Sequence, residues 1–173
     1  MIPTPAEETT APVERTLVLI KPDALLRGLV GRVLTRFEEV ALKIVGVKMR
    51  TMDDAFIREH YFDLEERRGS VVYARSAAFM KQSPIIAFVL EGYGAVGTVR
   101  KLIGSSCPDE AAPGTIRGDL SHFSSEASNA TGKGMANIVH ASANRQEAEY
   151  EVQLWFTPEE LHTYRSLAEL LTY

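Results

Sequence analysis

The chain has 173 residues, 45% of them hydrophobic and 24% charged, with a formal net charge of −4. That is enough apolar material for one packed domain, with or without a tail, and too acidic for a general nucleic-acid binder, which would carry a basic surface. The single Cys107 excludes an intrachain disulfide framework and suits a reducing compartment, the cytoplasm, and no apolar run is long enough to span a bilayer.

Residues 1–13 (MIPTPAEETTAPV) are rich in Pro, Thr and Glu. They lack the basic and apolar regions of a secretory signal and read as a flexible lead-in to a domain over 14–173. Thr16 to Ile20 is a β-branched and leucine run closed by Lys21-Pro22, the pattern of a buried strand. Leu29, Val33, Leu34, Phe37 and Val40 then recur at helical spacing. Ile44, Val45, Val47 and Met49 mark a second strand. Thr51 or Asp53 can cap a short helix running towards Tyr61, and Val71 to Gln82 is again helical. Pro84 to Leu90 is an apolar strand ended by Glu91-Gly92. Ala95 to Ile103 is a helix with Arg100 and Lys101 near its end. Leu120 to Ala136 (LSHFSSEASNATGKGMA), rich in Ser, Ala, Asn and Gly, reads as a loop. Ile138 to His140 makes a fourth strand. Asn144 with Glu147 is capping-box-like and starts a helix. Thr157-Pro158-Glu159-Glu160 is a stronger start signal, with a cap, a proline at the first position and a glutamate at the third. The order β-α-β-β-α-β, with added helices, predicts an α+β fold: a ferredoxin-like sandwich whose antiparallel four-stranded sheet carries helices on one face. Such a fold assigns no function by itself.

The chemistry gathers around His140, at the end of a short apolar run and beside the small Ala141 and Ser142. A neutral imidazole is a good nucleophile at neutral pH. Lys21, Arg100 and Arg117 supply cations, and charge neutralisation is most of what phosphoryl transfer asks of a protein. No G-x-x-x-x-G-K-[ST] loop is present, which argues against a P-loop kinase.

Six segments, in order, resemble the nucleoside diphosphate kinase family: Glu14 to Gly31 (ERTLVLIKPDALLRGLVG), His60 to Leu64 (HYFDL), Glu91-Gly92, Pro113 to Asp119 (PGTIRGD), Asn137 to Ser142 (NIVHAS) and Leu154 to Leu161 (LWFTPEEL). The resemblance implies the same fold. It also implies transfer of the terminal phosphate of a nucleoside triphosphate to a nucleoside diphosphate through a phosphohistidine. His140 matches the nucleophile, Glu151 the glutamate that orients it, and Ser142 the serine beside it. Arg100 and Arg117 match the arginines that grip the terminal phosphates. Ser106 stands where the family commonly has threonine and keeps a hydroxyl for phosphate. Lys21 matches the lysine near the transferred phosphate and the sugar, Asn137 the sugar-binding asparagine, and Tyr61 the tyrosine near that lysine. The family uses Mg²⁺ bridging the nucleotide phosphates and forms hexamers or tetramers, so no protein metal ligand is expected and a homo-oligomer is.

Two departures concern the base. Arg67-Arg68-Gly69-Ser70 occupies the place of the family's Pro-Phe pair, whose phenylalanine stacks on the base. The segment Leu120 to Ala136 is longer than is common in the family and contains the place of the other clamp residue. Tyr73 is brought towards the vacated position by the shifted spacing before Pro84. It is the expected platform, with Phe123 or Met135 covering the other side. The alternative to an active kinase is a non-catalytic family member used as a nucleotide-binding or assembly module, and the presence of the nucleophile and both arginines argues against it.

Overall fold

The computed structural model describes residues 12–171, so the expected lead-in over 1–13 lies almost wholly outside the described residues. Strand β1 (Val13–Ile20) leads into helices α1 (Pro22–Leu26) and α2 (Val30–Glu38). Strand β2 (Lys43–Arg50) precedes α3 (Asp54–His60), α4 (Leu64–Arg68) and α5 (Ser70–Met80). Strand β3 (Ile85–Tyr93) is followed by α6 (Ala95–Ile103), a 3₁₀ turn at Pro108–Glu110, α7 (Ile116–Leu120) and α8 (Ser125–Thr131). Strand β4 (Val139–Ala141), α9 (Arg145–Trp155), a second 3₁₀ turn at Pro158–Glu160 and α10 (Leu167–Leu171) complete the order. The sheet runs β2-β3-β1-β4 with every pair antiparallel, the ferredoxin-like arrangement.

Helices cover both faces of this sheet, where one was expected. Val18 and Ile20 pack with Val33, Phe37, Phe88 and Val99 on one side. Leu17 and Leu19 pack with Ile57, Met80, Val89 and Trp155 on the other. The four consecutive apolar residues Leu17 to Ile20 have no polar side to offer water, and all are fully buried. A strand with one wet face would alternate instead. Burying each such side chain contributes roughly 1.5–3 kcal/mol relative to exposure.

The local signals hold to different extents. Asp53 caps α3, its carboxylate accepting from Phe56 N at 2.8 Å. Asn144 caps α9 by accepting from Glu147 N at 2.9 Å, and the Glu147 carboxylate accepts in return from Ala143 N. At Thr157 the cap builds only one 3₁₀ turn. Glu160 accepts from Thr157 N at 2.8 Å, but His162 N then donates to Val45 O at 2.7 Å. Val45 is the extra residue of a bulge between Ile44 and Gly46, so its carbonyl needs a partner outside the ladder. A Cβ at Gly46 would lie 2.9 Å from Leu161 and 3.1 Å from Phe156, so a larger residue there would make these side chains shift where the chain crosses β2.

The segment read as a loop, 120–136, contains α8. Ser124 caps this helix by accepting from Ala127 N at 3.0 Å, and Gly132 closes it at φ +65°. None of the α8 residues is buried, so no apolar period announced it. Among the described residues no helix is long and apolar enough to cross a membrane.

The sheet places the site. On β4, His140 lies directly opposite Leu19 of β1. Directly opposed residues share a face, so His140 points to the side of Leu17 and Leu19, where α3 and α9 pack.

Candidate active site

Helix α9 delivers Glu151 beneath His140. The His140 Nε2–Glu151 Oε1 distance is 2.6 Å, and the Ser142 hydroxyl donates to Oε2 at 2.6 Å. Both carboxylate oxygens are thereby engaged. Burial alone would raise the Glu151 carboxyl, but the His140 ring and the Ser142 hydroxyl hold it below the usual carboxylate range. An anionic Glu151 accepts, so Nε2 carries the proton and Nδ1 keeps its lone pair. The Ser142 hydroxyl also accepts from Leu17 N at 3.3 Å and is fully buried. Ser142 therefore acts through Glu151.

A second histidine, His60 of α3, packs edge-on against His140 with ring centroids 4.8 Å apart. Trp155 Nε1 donates to His60 Nδ1 at 3.3 Å, and His60 Nε2 is buried with no partner among the described residues. Burial, with the His140 ring next, pushes the His60 pKa down to about 3, so this ring is neutral at working pH. The His140 side chain is 22% exposed, whereas those of His60 and Glu151 are 0% and 3%. Of the three, only His140 can meet a substrate. Tyr61 stacks obliquely on His60 at 4.7 Å, and burial, with the Glu151 charge next, raises its hydroxyl pKa.

The cations gather around the same strand. Lys21 Nζ donates to Asn137 Oδ1 at 2.7 Å and to Met135 O at 2.6 Å, and sits 4.9 Å over the Phe79 ring. Burial, and to a lesser extent Arg117, lowers its pKa to about 8 against the opposing pull of Asp23. Asn137 Nδ2 donates to Ser106 O at 2.8 Å, tying the Ser106 loop to β4. Ser106 itself is exposed, leaving its hydroxyl open to a ligand. Arg100 reaches Ala141 O at 3.5 Å from α6. Arg117 is more enclosed than a phosphate-gripping role suggests. Nε donates to Asn137 O (3.1 Å), Nη1 to Gly104 O and Ser105 O (both 3.1 Å) and Nη2 to Val139 O (2.7 Å). Only one of its five N–H groups is left for a ligand, and burial, with Arg100 beside it, lowers its pKa to about 10.

A strand-end imidazole oriented by a buried carboxylate, with cations and a hydroxyl nearby, has the residue types that phosphoryl transfer through a histidine needs. The family profile described as nucleoside diphosphate kinase matches residues 14–161. The chain belongs to the nucleoside diphosphate kinase family. A nucleoside diphosphate kinase of Pyrococcus horikoshii is 45% identical over 90% of this chain and 93% of its own length. One from Borreliella burgdorferi is 41% identical over 88% of this chain and 93% of its own. Among solved structures, a transition-state mimic of the Borrelia burgdorferi enzyme with bound vanadate and ADP superposes with a TM-score of 0.88 at 40% identity, covering 91% of this chain and 95% of that one. The Halobacterium salinarum enzyme in complex with CDP gives 0.81 at 34%, covering 94% and 99%.

The region expected to meet the base has fewer side-chain hydrogen bonds. Tyr73 of α5 packs in part against the Leu17 and Leu19 cluster, and the Arg58 guanidinium lies 4.8 Å over one face of its ring. One face at most is free for a base. Phe123 and Met135 are half-buried in the 120–136 segment. Helix α8 of that segment docks on α5 through Arg75 and Asn129 at 3.4 Å. Sequence reasoning missed His60 and Trp155 as parts of the His140 network. Both lie in segments that carry the family resemblance, but no local pattern pairs residues so far apart in the chain.

Proposed function

We propose that this kinase carries the phosphoryl group on His140 Nδ1. The single observation behind this is the 2.6 Å contact between His140 Nε2 and Glu151, which leaves Nδ1 as the free lone pair. The nucleoside triphosphate binds with its terminal phosphorus in front of Nδ1. The Nδ1 lone pair forms a P–N bond as the bond from phosphorus to the bridging oxygen breaks, and the nucleoside diphosphate leaves with that electron pair. The ring becomes an imidazolium-like cation, and anionic Glu151 stabilises it. A second nucleoside diphosphate then attacks the same phosphorus through a terminal oxygen, the P–N bond breaks, and His140 is restored.

Lys21 and Arg100 neutralise the charge that collects on the moving phosphoryl group, with a donor from Ser106. Asn137 and Lys21 hold the sugar side, and Tyr61 packs next to His60 beneath them. Arg117 contributes its last N–H and holds the loop and strand in register. Mg²⁺, held by the nucleotide phosphates and not by protein side chains, would neutralise phosphate charge beside Lys21 and Arg100. The residues here fit that arrangement. The acid and histidine cluster of His60, His140 and Glu151 is nitrogen-rich and internally bonded, whereas Mg²⁺ prefers oxygen ligands and retained waters. We assign the chain to a homo-oligomer, hexameric or tetrameric, in the cytoplasm, where the free Cys107 stays reduced.

Steady-state kinetics test the reading. A two-step transfer through the enzyme gives parallel double-reciprocal lines when donor and acceptor are varied. Intersecting lines would contradict it.

A further inference from the structure

Ile138, two residues before His140, has φ +71° although it is β-branched and fully buried. Val139 N donates to Asn137 O at 2.8 Å across it. The three residues thus form a γ-turn of the strained hand, rare for any residue and most hindered for one branched at Cβ. Such a conformation persists only where its surroundings over-determine it. Here the surroundings can be named. Ile138 N donates to Asp23 Oδ2 at 2.9 Å, and Ile138 O accepts from Lys21 N at 3.0 Å. Asn137 O accepts from Arg117 as well. The side chain of Asn137 is pinned by Lys21 and Ser106.

We infer that Asp23 is a positioning residue for phosphoryl transfer: its carboxylate holds the strained turn at Ile138, and the turn sets Asn137 and His140 relative to each other. The inference rests on the phosphohistidine reading and deepens it. Among the described residues, the Asp23 carboxylate is the sole side-chain hydrogen-bond partner of the turn's central residue. The Ile138 amide lies in a fully buried residue, so losing its acceptor leaves a buried donor unsatisfied. Without the tether, the chain relaxes towards negative φ. That rotation swings the peptide between Asn137 and Val139, so sugar ligand and nucleophile lose their common frame. Asp23 also faces the charges of Lys21 and Arg117. Its effect through the turn therefore has to be separated from an effect through charge, and asparagine does so. Asp23→Asn keeps an oxygen acceptor for the Ile138 amide and removes the charge; Asp23→Ala removes both.

The test is single-turnover phosphorylation by a γ-³²P-labelled nucleoside triphosphate with Mg²⁺, at saturating nucleotide, on wild type, Asp23→Asn and Asp23→Ala. Nucleotide affinity and Ile138 amide exchange are measured in parallel. Misplacement by about 1 Å can cost on the order of 10²-fold, so Asp23→Ala is expected to slow phosphoenzyme formation at least tenfold while affinity changes less, with the Ile138 amide losing protection. Asp23→Asn recovers most of the lost rate and keeps the amide protected. A wild-type rate in Asp23→Ala overturns the inference. So does a rate in Asp23→Asn as low as tenfold below wild type, a reading that stands even if the alanine variant does not fold. Absence of phosphohistidine in the wild type would instead overturn the reading on which the inference rests.

Discussion

Around His140 almost every polar group has a partner within the chain: Glu151 holds both the ring and Ser142, and Arg117 and Asn137 lace the Ser105–Ser106 loop to β4. Around Tyr73 the chain is held by packing of α4 and of the Gly134 segment against α5, with its side-chain hydrogen bonds at the surface. Neither α4 nor α8 buries a residue, and the links across them, Arg58 to Glu65 and Arg75 to Asn129, are exposed. The expected phosphate and base ends of the site meet different demands. Phosphoryl transfer is accelerated by positioning and preorganised charge, which need a rigid frame. Stacking needs only a flat surface, because every base has a π-face. A rigid end and a permissive end would let one phosphate chemistry tolerate differing bases.

Substitutions at the rigid end should therefore act mainly on kcat and those at the permissive end on KM. The largest effect is expected at Glu151. In Glu151→Gln the amide can donate to Nε2, favouring the tautomer with its proton on Nδ1, where the nucleophilic lone pair is required. A fall in kcat of about 10³-fold is predicted, in line with the cost of a wrong tautomer elsewhere. A rate within tenfold of wild type would break the distinction. Next come the arginines. Arg100→Ala and Arg117→Ala should each lower kcat/KM by roughly 10²-fold, with different companions. Arg117→Ala should also lower thermal stability, since it strips a donor from four carbonyls, and lysine cannot restore that fork. Arg100→Ala should leave stability near wild type. Equal melting temperatures in the two variants would contradict the positioning role of Arg117.

This division also explains what the sequence disclosed. Strand β1, helix α6 and the cap of α9 were legible because burial on a helical or extended period, or a side-chain cap, is written locally. His140, Lys21 and Asn137 were singled out within segments resembling the family, and Glu151 and Arg100 from their places between those segments. Their contacts with one another cross more than a hundred residues in the case of Lys21 and Asn137. Helix α8 was not legible, because a helix with no buried face leaves only its Ser124 cap and Gly132 stop. The helix expected after Thr157 was misread for the opposite reason: its cap is present, but the bulge carbonyl of Val45 draws the chain away after one turn. The strained φ of Ile138 has no sequence signature at all.

A smaller effect is a pH dependence. Lys21 has a folded-state pKa of about 8 against an ordinary 10.5. Its charge, which the phosphate requires, is present below pH 8 and lost as pH rises through it. The basic limb of kcat/KM, which reports the free enzyme, should therefore fall near pH 8. Stability moves the other way. Between pH 8 and 10.5 the unfolded chain binds the proton that the folded chain has released, so this group's contribution to stability rises across that window. A flat kcat/KM from pH 7 to 10 would contradict the assignment. The smallest effect belongs to the permissive end. Tyr73→Ala should weaken nucleotide binding about fivefold to tenfold, the lower range for loss of one stacking face, and leave binding of inorganic phosphate unchanged. An unchanged nucleotide affinity would remove Tyr73 from the base site.

The most direct test of the central claim is the position of the phosphate on the ring. The protein is loaded with a nucleoside triphosphate and Mg²⁺, and the acid-labile, base-stable phosphoenzyme is mapped by mass spectrometry and ³¹P NMR. The account predicts phosphate on Nδ1 of His140 and none in His140→Ala. Phosphate on Nε2 of His140, or on His60, His122 or His162, would contradict it.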